Sequence, residues 1–525
     1  MIKRIAIVGT GPTGIYSLQQ LLEIGEPLAV TLFEKGEKAG YGMPYSPDTA
    51  SKSMLANIAS IEIPPVVIPY LDWLEAQPAD RVAAYGLDPD DLDERLFTPR
   101  LLLGEYFRDQ LLLLVKTARN AGHRIDVRES TEVLDIVPGD DGLRVLTATG
   151  QDAGPFGRVI LATGHDFPDN GDADGSYFPS PWSGLIEARI GAVPVGIMGT
   201  SLSSIDAAMA VAVQHGRFRR RGDDLRFDAD GAGLHITLMS RSGVLPEADF
   251  YCPIPYEPLA VMTEAAVAAC AGKSRPLDAL FDLLRAELMQ ADPAFCLRIG
   301  LGGLNADTFA PAYFADRKAA DPFRWAKRNL EEVEHNKAGR ITVPWRYALL
   351  RMHERAEDIV AALSEPDRQR FDAGLKKVFV DNYAAVPSES IRRLLALRDA
   401  GLLSVLPLGE DYTLTRQDAG RTIEVDGQAH VFDVFIDARG QKPLGAEDLP
   451  FPTLREALLR SGHDIPDVAE DYSLIGPPEF RGVSIGSIPY LMHDRPFVQG
   501  ITACADIAAA IARGVATRRR RRLVS

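Results

Sequence analysis

The chain has only four cysteines in 525 residues, Cys252, Cys270, Cys296 and Cys504, and no two stand in Cys-x-x-Cys spacing. That excludes a disulfide scaffold, a Cys-x-x-Cys redox pair and a cysteine zinc site, and it suits a reducing cytoplasm. No metal centre is expected. Long apolar runs are missing too: the run Ile5 to Val8 stops at Gly9, short of a signal segment, and no other stretch reads as long enough to span a membrane. Excess positive charge is absent, with 57 Lys and Arg against 73 Asp and Glu and a net charge of -16, which argues against a nucleic-acid partner. The one basic run, Arg518 to Arg522, reads as a solvated tail, with contact to a membrane surface or an acidic partner as the alternative. A soluble, unprocessed, cytoplasmic protein is the expectation, and its length calls for two domains or one with large insertions.

What is present begins at once. MIKRIAIVGTGPTGIYSLQQLLEIG opens with a short apolar run rich in strand formers, turns through Gly9, Gly11, Pro12, Thr13 and Gly14, and continues with helical spacing of Ile15, Leu18, Leu21 and Leu22. In such a turn the first glycine makes the tight bend, the second admits a pyrophosphate and the third lets helix approach strand. A second strand, AVTLFEK, delivers Glu34 and Lys35, with the carboxylate at the distance where it accepts ribose hydroxyls. The strand VILATGH, 159–165, ends in Ala162, Thr163 and Gly164 and looks like the ATG strand of two-dinucleotide flavoproteins, which points to FAD.

GIMGTSLSSID, 196–206, repeats the turn in altered form. Superposing GTGPTG on GTSLSS matches Gly9 with Gly199, Gly11 with Ser201 and Gly14 with Ser204. HITLMSR then matches AVTLFEK, so Glu34 meets Ser240 and Lys35 meets Arg241, and the extra length is taken up by a surface insertion, 217–233. A hydroxyl followed by arginine removes the charge that repels a ribose 2′-phosphate and supplies one that attracts it, so an occupied site would prefer NADP(H). Ser204 is a tolerable small-residue exchange, whereas Ser201 adds a side chain at the closest approach; its hydroxyl either donates to phosphate or closes the site. Asp206 is expected in the first turn of the next helix, as a macrodipole partner or a ligand contact.

The fold class read from these units is α/β, with tandem Rossmann-like dinucleotide-binding domains and a helical insertion. An FAD domain is expected over 1–192 and 441–525, an NAD(P)-type domain over 193–264 and 379–440, and amphipathic helices over 265–378 that cap a cleft or serve dimerisation. VFDVFIDARG, 431–440, resembles a second ATG-like strand ending at Gly440, with Arg439 in place of threonine. FVQGITACADIAAAIA reads as a glycine turn and helix whose first amides, Gln499, Gly500 and Ile501, could face a flavin ring.

With these motifs, and with MLANIASIEIPP, FTPRLLLGEYFRDQ, YFPSPWSG, PEADFYCPIPYEP, DNYAAVPSESIRRLLALR and LMHDRPFVQG, nearly the whole chain resembles the YdhS-like FAD/NAD(P)-binding proteins. These are relatives of bacterial N-hydroxylating and other NAD(P)H-dependent monooxygenases. The resemblance implies that Gly9, Gly11, Gly14 and Glu34 hold the ADP half of FAD, that Arg100 contacts its phosphates or ribose, that Asn57 lies near the flavin and that Val133 lies by the adenine. The FxGxxxHxxxW pattern of Baeyer-Villiger enzymes is absent.

Catalytic candidates come from the segment before the proposed flavin-facing turn: His493 and Arg495, beside Tyr490 and Asp494, could bind an anionic substrate or steer a proton, or form a salt-bridged loop. His165 could donate a proton or be a satisfied loop histidine, and Cys252 reads as packed. Three functions fit: an FAD-dependent oxidoreductase reduced by NADP(H), monooxygenase-like and acting on a small polar metabolite; an oxidase or dehydrogenase reduced directly by substrate; or a non-catalytic flavin-binding sensor.

Overall fold

Lys3–Val8 and Arg158–Leu161 lie in the middle of a parallel sheet covered on both faces, which is why they read as continuous apolar runs rather than alternating ones. The computed structural model describes residues 3–150, 152–168, 175–222, 224–416 and 420–524, with side chains as far as 517. The side chains of Arg518 to Arg522 therefore fall outside the described residues. The chain divides into two units: Met1–Lys52, Ile58–Phe167 and Gln441–Ser525 form the first, Ser53–Asn57 and Pro168–Gly440 the second. The break falls after Phe167 rather than at 192, and the helical insertion is part of the second unit.

In the first unit the parallel order is Val483–Ile485, Arg158–Leu161, Lys3–Val8, Leu28–Phe33, Arg124–Arg128. An antiparallel meander, Val133–Gly139, Gly142–Thr147 and Asp152–Phe156, precedes Arg158–Leu161. The second unit repeats this plan: Leu403–Pro407, His235–Ser240, Pro194–Met198, Val434–Asp437 and Tyr177–Phe178 lie parallel. Its own meander, Tyr412–Arg416, Arg421–Val425 and Gln428–Phe432, precedes Val434–Asp437. The insertion after the second glycine turn is a hairpin, Gly216–Arg221 paired with Asp224–Ala229.

The α-helices from Glu264–Ala271 to Leu375–Tyr383 include Pro276–Ala291, Pro322–Gly339 and Pro344–Val360. Asp292, Asp321 and Ser364 each accept a backbone N–H as N-cap, with proline at the start of the helix that follows, a strong start signal. Two of the resemblance motifs meet here: Val386 N–H donates to the Glu247 carbonyl at 2.9 Å and Asp249 N–H to the Val386 carbonyl at 2.7 Å. Beneath that stitch Glu247 is buried with Arg317 and Arg346, its carboxylate 3.8 and 3.2 Å from them and accepting the Trp325 indole N–H at 2.8 Å. Asp381 completes the group, 2.6 Å from Arg317.

One expectation about length is corrected. Gly500–Val524 is a continuous helix, and its window Gly500–Thr517 is long and apolar enough to cross a membrane, although half of that window is buried within the fold. Its apolarity has a local cause: it packs along Pro12–Leu22, with Ile507, Ala508 and Ile511 fully buried.

Candidate functional site

The parallel strands of the first candidate site deliver Gly9, Glu34 and Ala162 at the carboxyl edge of their sheet, where parallel α/β sheets bind ligands. Gly9 follows Lys3–Val8 with φ +98°, and a Cβ there would lie 2.2 Å from the Ala162 carbonyl oxygen. A Cβ on Gly14 would lie 2.2 Å from the Gly9 carbonyl oxygen. Both glycines are thus fixed by backbone contact inside the protein. Gly11 differs: it is the N-cap of Pro12–Leu22 at an ordinary φ of -69°, where a Cβ would meet only the Gly42 Cα at 3.2 Å. Its bareness keeps the helix N-terminus open, with no capping side chain and no acid in the first turn.

Glu34 stands one residue past Leu28–Phe33, and its carboxylate is held before any ligand arrives. Oε2 accepts the Thr10 hydroxyl at 2.5 Å and the Thr10 N–H at 3.2 Å, and Oε1 accepts the Gly36 N–H at 2.9 Å. The Thr10 hydroxyl in turn accepts the Gly40 N–H at 3.0 Å. Glu34 and Gly36 also pair through their backbones with 128–131, which leads directly to buried Val133 at the start of its strand. Lys35 is exposed.

On the other flank Ala162 N–H donates to the Val8 carbonyl at 2.8 Å, and Thr163 bonds Ser487 through both its N–H (3.0 Å) and its hydroxyl (2.8 Å). Thr163 is therefore a clamp to the next strand. Gly164 has φ +74° and open space where a side chain would stand. Burial lowers the His165 imidazole, offset in part by a hydrogen bond with Gln441 and reinforced by the Arg100 charge, so the ring is neutral at pH 7. Its Nδ1 is buried without a hydrogen-bond partner. Arg100 is the first residue of Arg100–Asn120, half-buried, and its charge also reaches Tyr45.

The segment after Val483–Ile485 carries the proposed catalytic residues. His493 is half-buried, with Nε2 lacking a hydrogen-bond partner. Arg495 is held elsewhere: its guanidinium lies 4.2 Å from the Tyr472 ring centroid and hydrogen-bonds the Tyr472 hydroxyl. Gln499 and Gly500 are exposed at the helix start and Ile501 is buried. Burial pushes the Cys504 thiol up to about 11, against hydrogen bonds from Thr13, so it is protonated at neutral pH. Asn57 belongs to the second unit, its Oδ1 buried without a hydrogen-bond partner.

The donor set fits FAD: a bare helix N-terminus for pyrophosphate, a fixed carboxylate at the ribose position, an open glycine after Thr163 and two orphaned imidazole nitrogens on the same unit. Sequence reasoning missed Thr10, Gly36, Gly40, Gly42, Ser487 and Gln441. The signal for Thr10 was available, because both turns begin Gly-Thr.

The second unit repeats the turn with different chemistry. Gly199 has φ +132°, and a Cβ would lie 2.9 Å from the Ala438 carbonyl oxygen, as Gly9 faces Ala162. Ser204 is buried with Oγ where a Gly199 Cβ would be, so helix and strand stand far enough apart to admit a serine. Ser201 is the extended N-cap of Leu202–Ala212; it is exposed and makes no capping bond. Asp206 is the fifth helical residue and buried, so it is not a first-turn carboxylate as expected. Thr200 copies Thr10: its hydroxyl donates to the Val244 carbonyl at 2.8 Å and lies 3.2 Å from the Ser240 hydroxyl, from which it can accept. Arg241 is exposed and lies 3.5 Å from Glu410. Gly440 has φ +89° and, like Gly164, open space around its absent side chain.

Two like sheets, each with a glycine turn between its middle strand and the helix that follows, define a tandem dinucleotide-binding fold. Comparison places it among known proteins. Residues 6–166 match the FAD-NAD(P)-binding domain family, and 263–383 match the YdhS-like middle domain. The protein YdhS of Escherichia coli (strain K12) is 54% identical over 535 residues, covering 99% of each chain. Among solved structures, the Kutzneria sp. 744 ornithine N-hydroxylase shares the fold at 14% identity and TM-score 0.52, over 99% of this chain and 100% of that one. The ornithine hydroxylase of Pseudomonas aeruginosa does so at 13% identity and TM-score 0.52, over 98% and 99%. The class is that of the FAD/NAD(P)-binding flavoproteins. Within it, the chain belongs to the YdhS-like family.

Proposed function

We propose that the protein is an FAD-dependent oxidoreductase that takes reducing equivalents from NADP(H) and acts as a monooxygenase on a small polar metabolite. The observation that carries this reading is the repeated sheet with unequal strand ends: a fixed carboxylate, Glu34, in the first unit and Ser240 followed by exposed Arg241 in the second. A carboxylate suits the ribose of FAD and repels a 2′-phosphate; a hydroxyl beside a guanidinium does the reverse. Bound FAD supplies the hydride and oxygen chemistry, leaving the chain to bind, orient and move protons.

In this reading Gly9, Gly11, Pro12, Thr13 and Gly14 cradle the FAD pyrophosphate with Arg100. Glu34 and Val133 hold the ribose and adenine end, and Ala162, Thr163 and Gly164, with the Gln499–Ile501 turn, flank the flavin. Gly199, Ser201, Ser204, Ser240, Arg241 and Gly440 line the NADP(H) site. His493 holds or moves a proton at its orphaned Nε2, and Arg495 keeps its loop in place through Tyr472.

Anaerobic titration of the flavin-loaded protein tests it. NADPH is expected to bleach the flavin at lower concentration than NADH, with colour returning on admission of oxygen. Bleaching by neither nucleotide would overturn NADP(H) reduction in favour of direct reduction by substrate, and failure to take up FAD at all would overturn the reading entirely.

A further inference from the structure

The two carboxyl edges differ most at a position that the turn motifs do not include. In the first unit Leu161-Ala162-Thr163-Gly164 closes its strand with a neutral hydroxyl tied to Ser487. In the second, Asp437-Ala438-Arg439-Gly440 stands in the same place. Asp437 pairs in register with Met198, the Ala438 N–H donates to the Met198 carbonyl at 2.9 Å, and the Ala438 carbonyl faces Gly199. Arg439 therefore leaves the backbone one residue from the contact that fixes the glycine turn.

Its guanidinium is held in one orientation. Nε lies 2.8 Å from Asp437 Oδ1 and Nη2 2.5 Å from Oδ2, a two-pronged fork, with the Arg439 N–H 3.3 Å from Oδ1 as well. The fork leaves Nη1 on the far edge of the planar group. Arg439 is 53% exposed, and a pair this open to water adds little to stability. His235–Ser240, which leads to Arg241, lies on the opposite side of Pro194–Met198 from Val434–Asp437. Two arginines thus flank the Gly199 turn, one beyond each neighbouring strand.

We propose that Arg439, oriented by Asp437, binds the pyrophosphate of the nicotinamide dinucleotide in the second unit, while Arg241 reads the 2′-phosphate. This rests on the NADP(H) reading above. Ser201 removes the bare backbone at which Gly11 admits a pyrophosphate in the first unit, and a long, pre-oriented guanidinium from the adjacent strand restores a strong donor without requiring that approach. The pyrophosphate is common to NAD and NADP, so Arg439 governs affinity and Arg241 governs choice.

The test measures dissociation constants of NADP+ and NAD+ for the FAD-loaded protein by calorimetry, alongside the melting temperature without nucleotide. Arg439→Gln is expected to weaken both nucleotides at least tenfold while leaving their ratio and the melting temperature unchanged. Arg439→Lys should recover part of that loss, and Arg241→Gln should weaken NADP+ alone. Wild-type affinity for both nucleotides in Arg439→Gln overturns the inference and leaves the NADP(H) reading standing, as does a loss confined to NADP+. If the wild-type protein binds neither nucleotide, the NADP(H) reading fails and the inference falls with it.

Discussion

Thr10 does for Glu34 what the glycine pattern alone does not: it fixes a carboxylate in space. Its hydroxyl donates to Glu34 and accepts from Gly40, so valine there would leave a carboxylate oxygen short of a donor and the Gly40 N–H without an acceptor. Each loss costs about 1 to 3 kcal/mol, part of which falls on ligand binding. Thr10→Val is expected to raise the FAD dissociation constant about tenfold, 1.4 kcal/mol corresponding to one decade, and Thr10→Ser to restore it. Fluorescence titration of the apoprotein with FAD decides this; valine binding as tightly as threonine would mean that Glu34 needs no such support. The superposition of the two turns made Glu34 against Ser240 legible, because strand, turn and helix are contiguous in the chain. It could not show why serine is accepted at 204 and forbidden at 14. That depends on backbone separation: 2.2 Å to the Gly9 carbonyl in one copy, room for a buried Oγ in the other.

The helical insertion is stitched by charges far apart in sequence. Burial on its own would raise the Glu247 carboxyl, but Arg346 and Arg317 outweigh it and hold it below its usual range. Glu247→Gln keeps an acceptor for Trp325 and removes the charge opposing Arg346, whose Nε already lacks a hydrogen-bond partner. Breaking one side of a buried pair costs about 3 to 5 kcal/mol, so chemical denaturation should show a loss near that size; less than about 1 kcal/mol would mean the pair relaxes into water. None of this was visible in the sequence. Glu247 sits in a loop, Arg317 and Arg346 on separate helices, and Asp381 on a third, so no periodicity or spacing joins them. The amphipathic helices expected over 265–378 do form, Pro276–Ala291, Pro322–Gly339 and Pro344–Val360 among them, since amphipathicity and proline starts are local signals.

Acid sensitivity belongs to the molecule as a whole. Burial lowers His353 from 6.5 to about 4, partly countered by its hydrogen bond to the Leu350 carbonyl, and its ring stacks 4.9 Å from Tyr383. The unfolded chain binds a proton there that the folded chain refuses. Stability from this group is therefore complete above about pH 6.5 and is lost as pH falls towards 4. Glu247 adds its loss only lower, as pH drops through its depressed folded value. His353→Phe should flatten the decline between pH 6.5 and 4 in denaturation midpoints, and an unchanged slope would place the acid response elsewhere.

The first unit is also divided in time. Its sheet takes an edge strand from Val483–Ile485, and Pro12–Leu22 packs against Gly500–Val524, whereas the second unit lies almost wholly within Pro168–Gly440. A ribosome releases the chain from its N-terminus, and domains tend to fold as they emerge. The second unit has nearly all its parts while the first still lacks a strand and a helix. The glycine turn at residue 9 precedes the second unit in the chain yet gains its complete surroundings only after it, so the nascent chain acquires the second dinucleotide-type scaffold before it can finish the first.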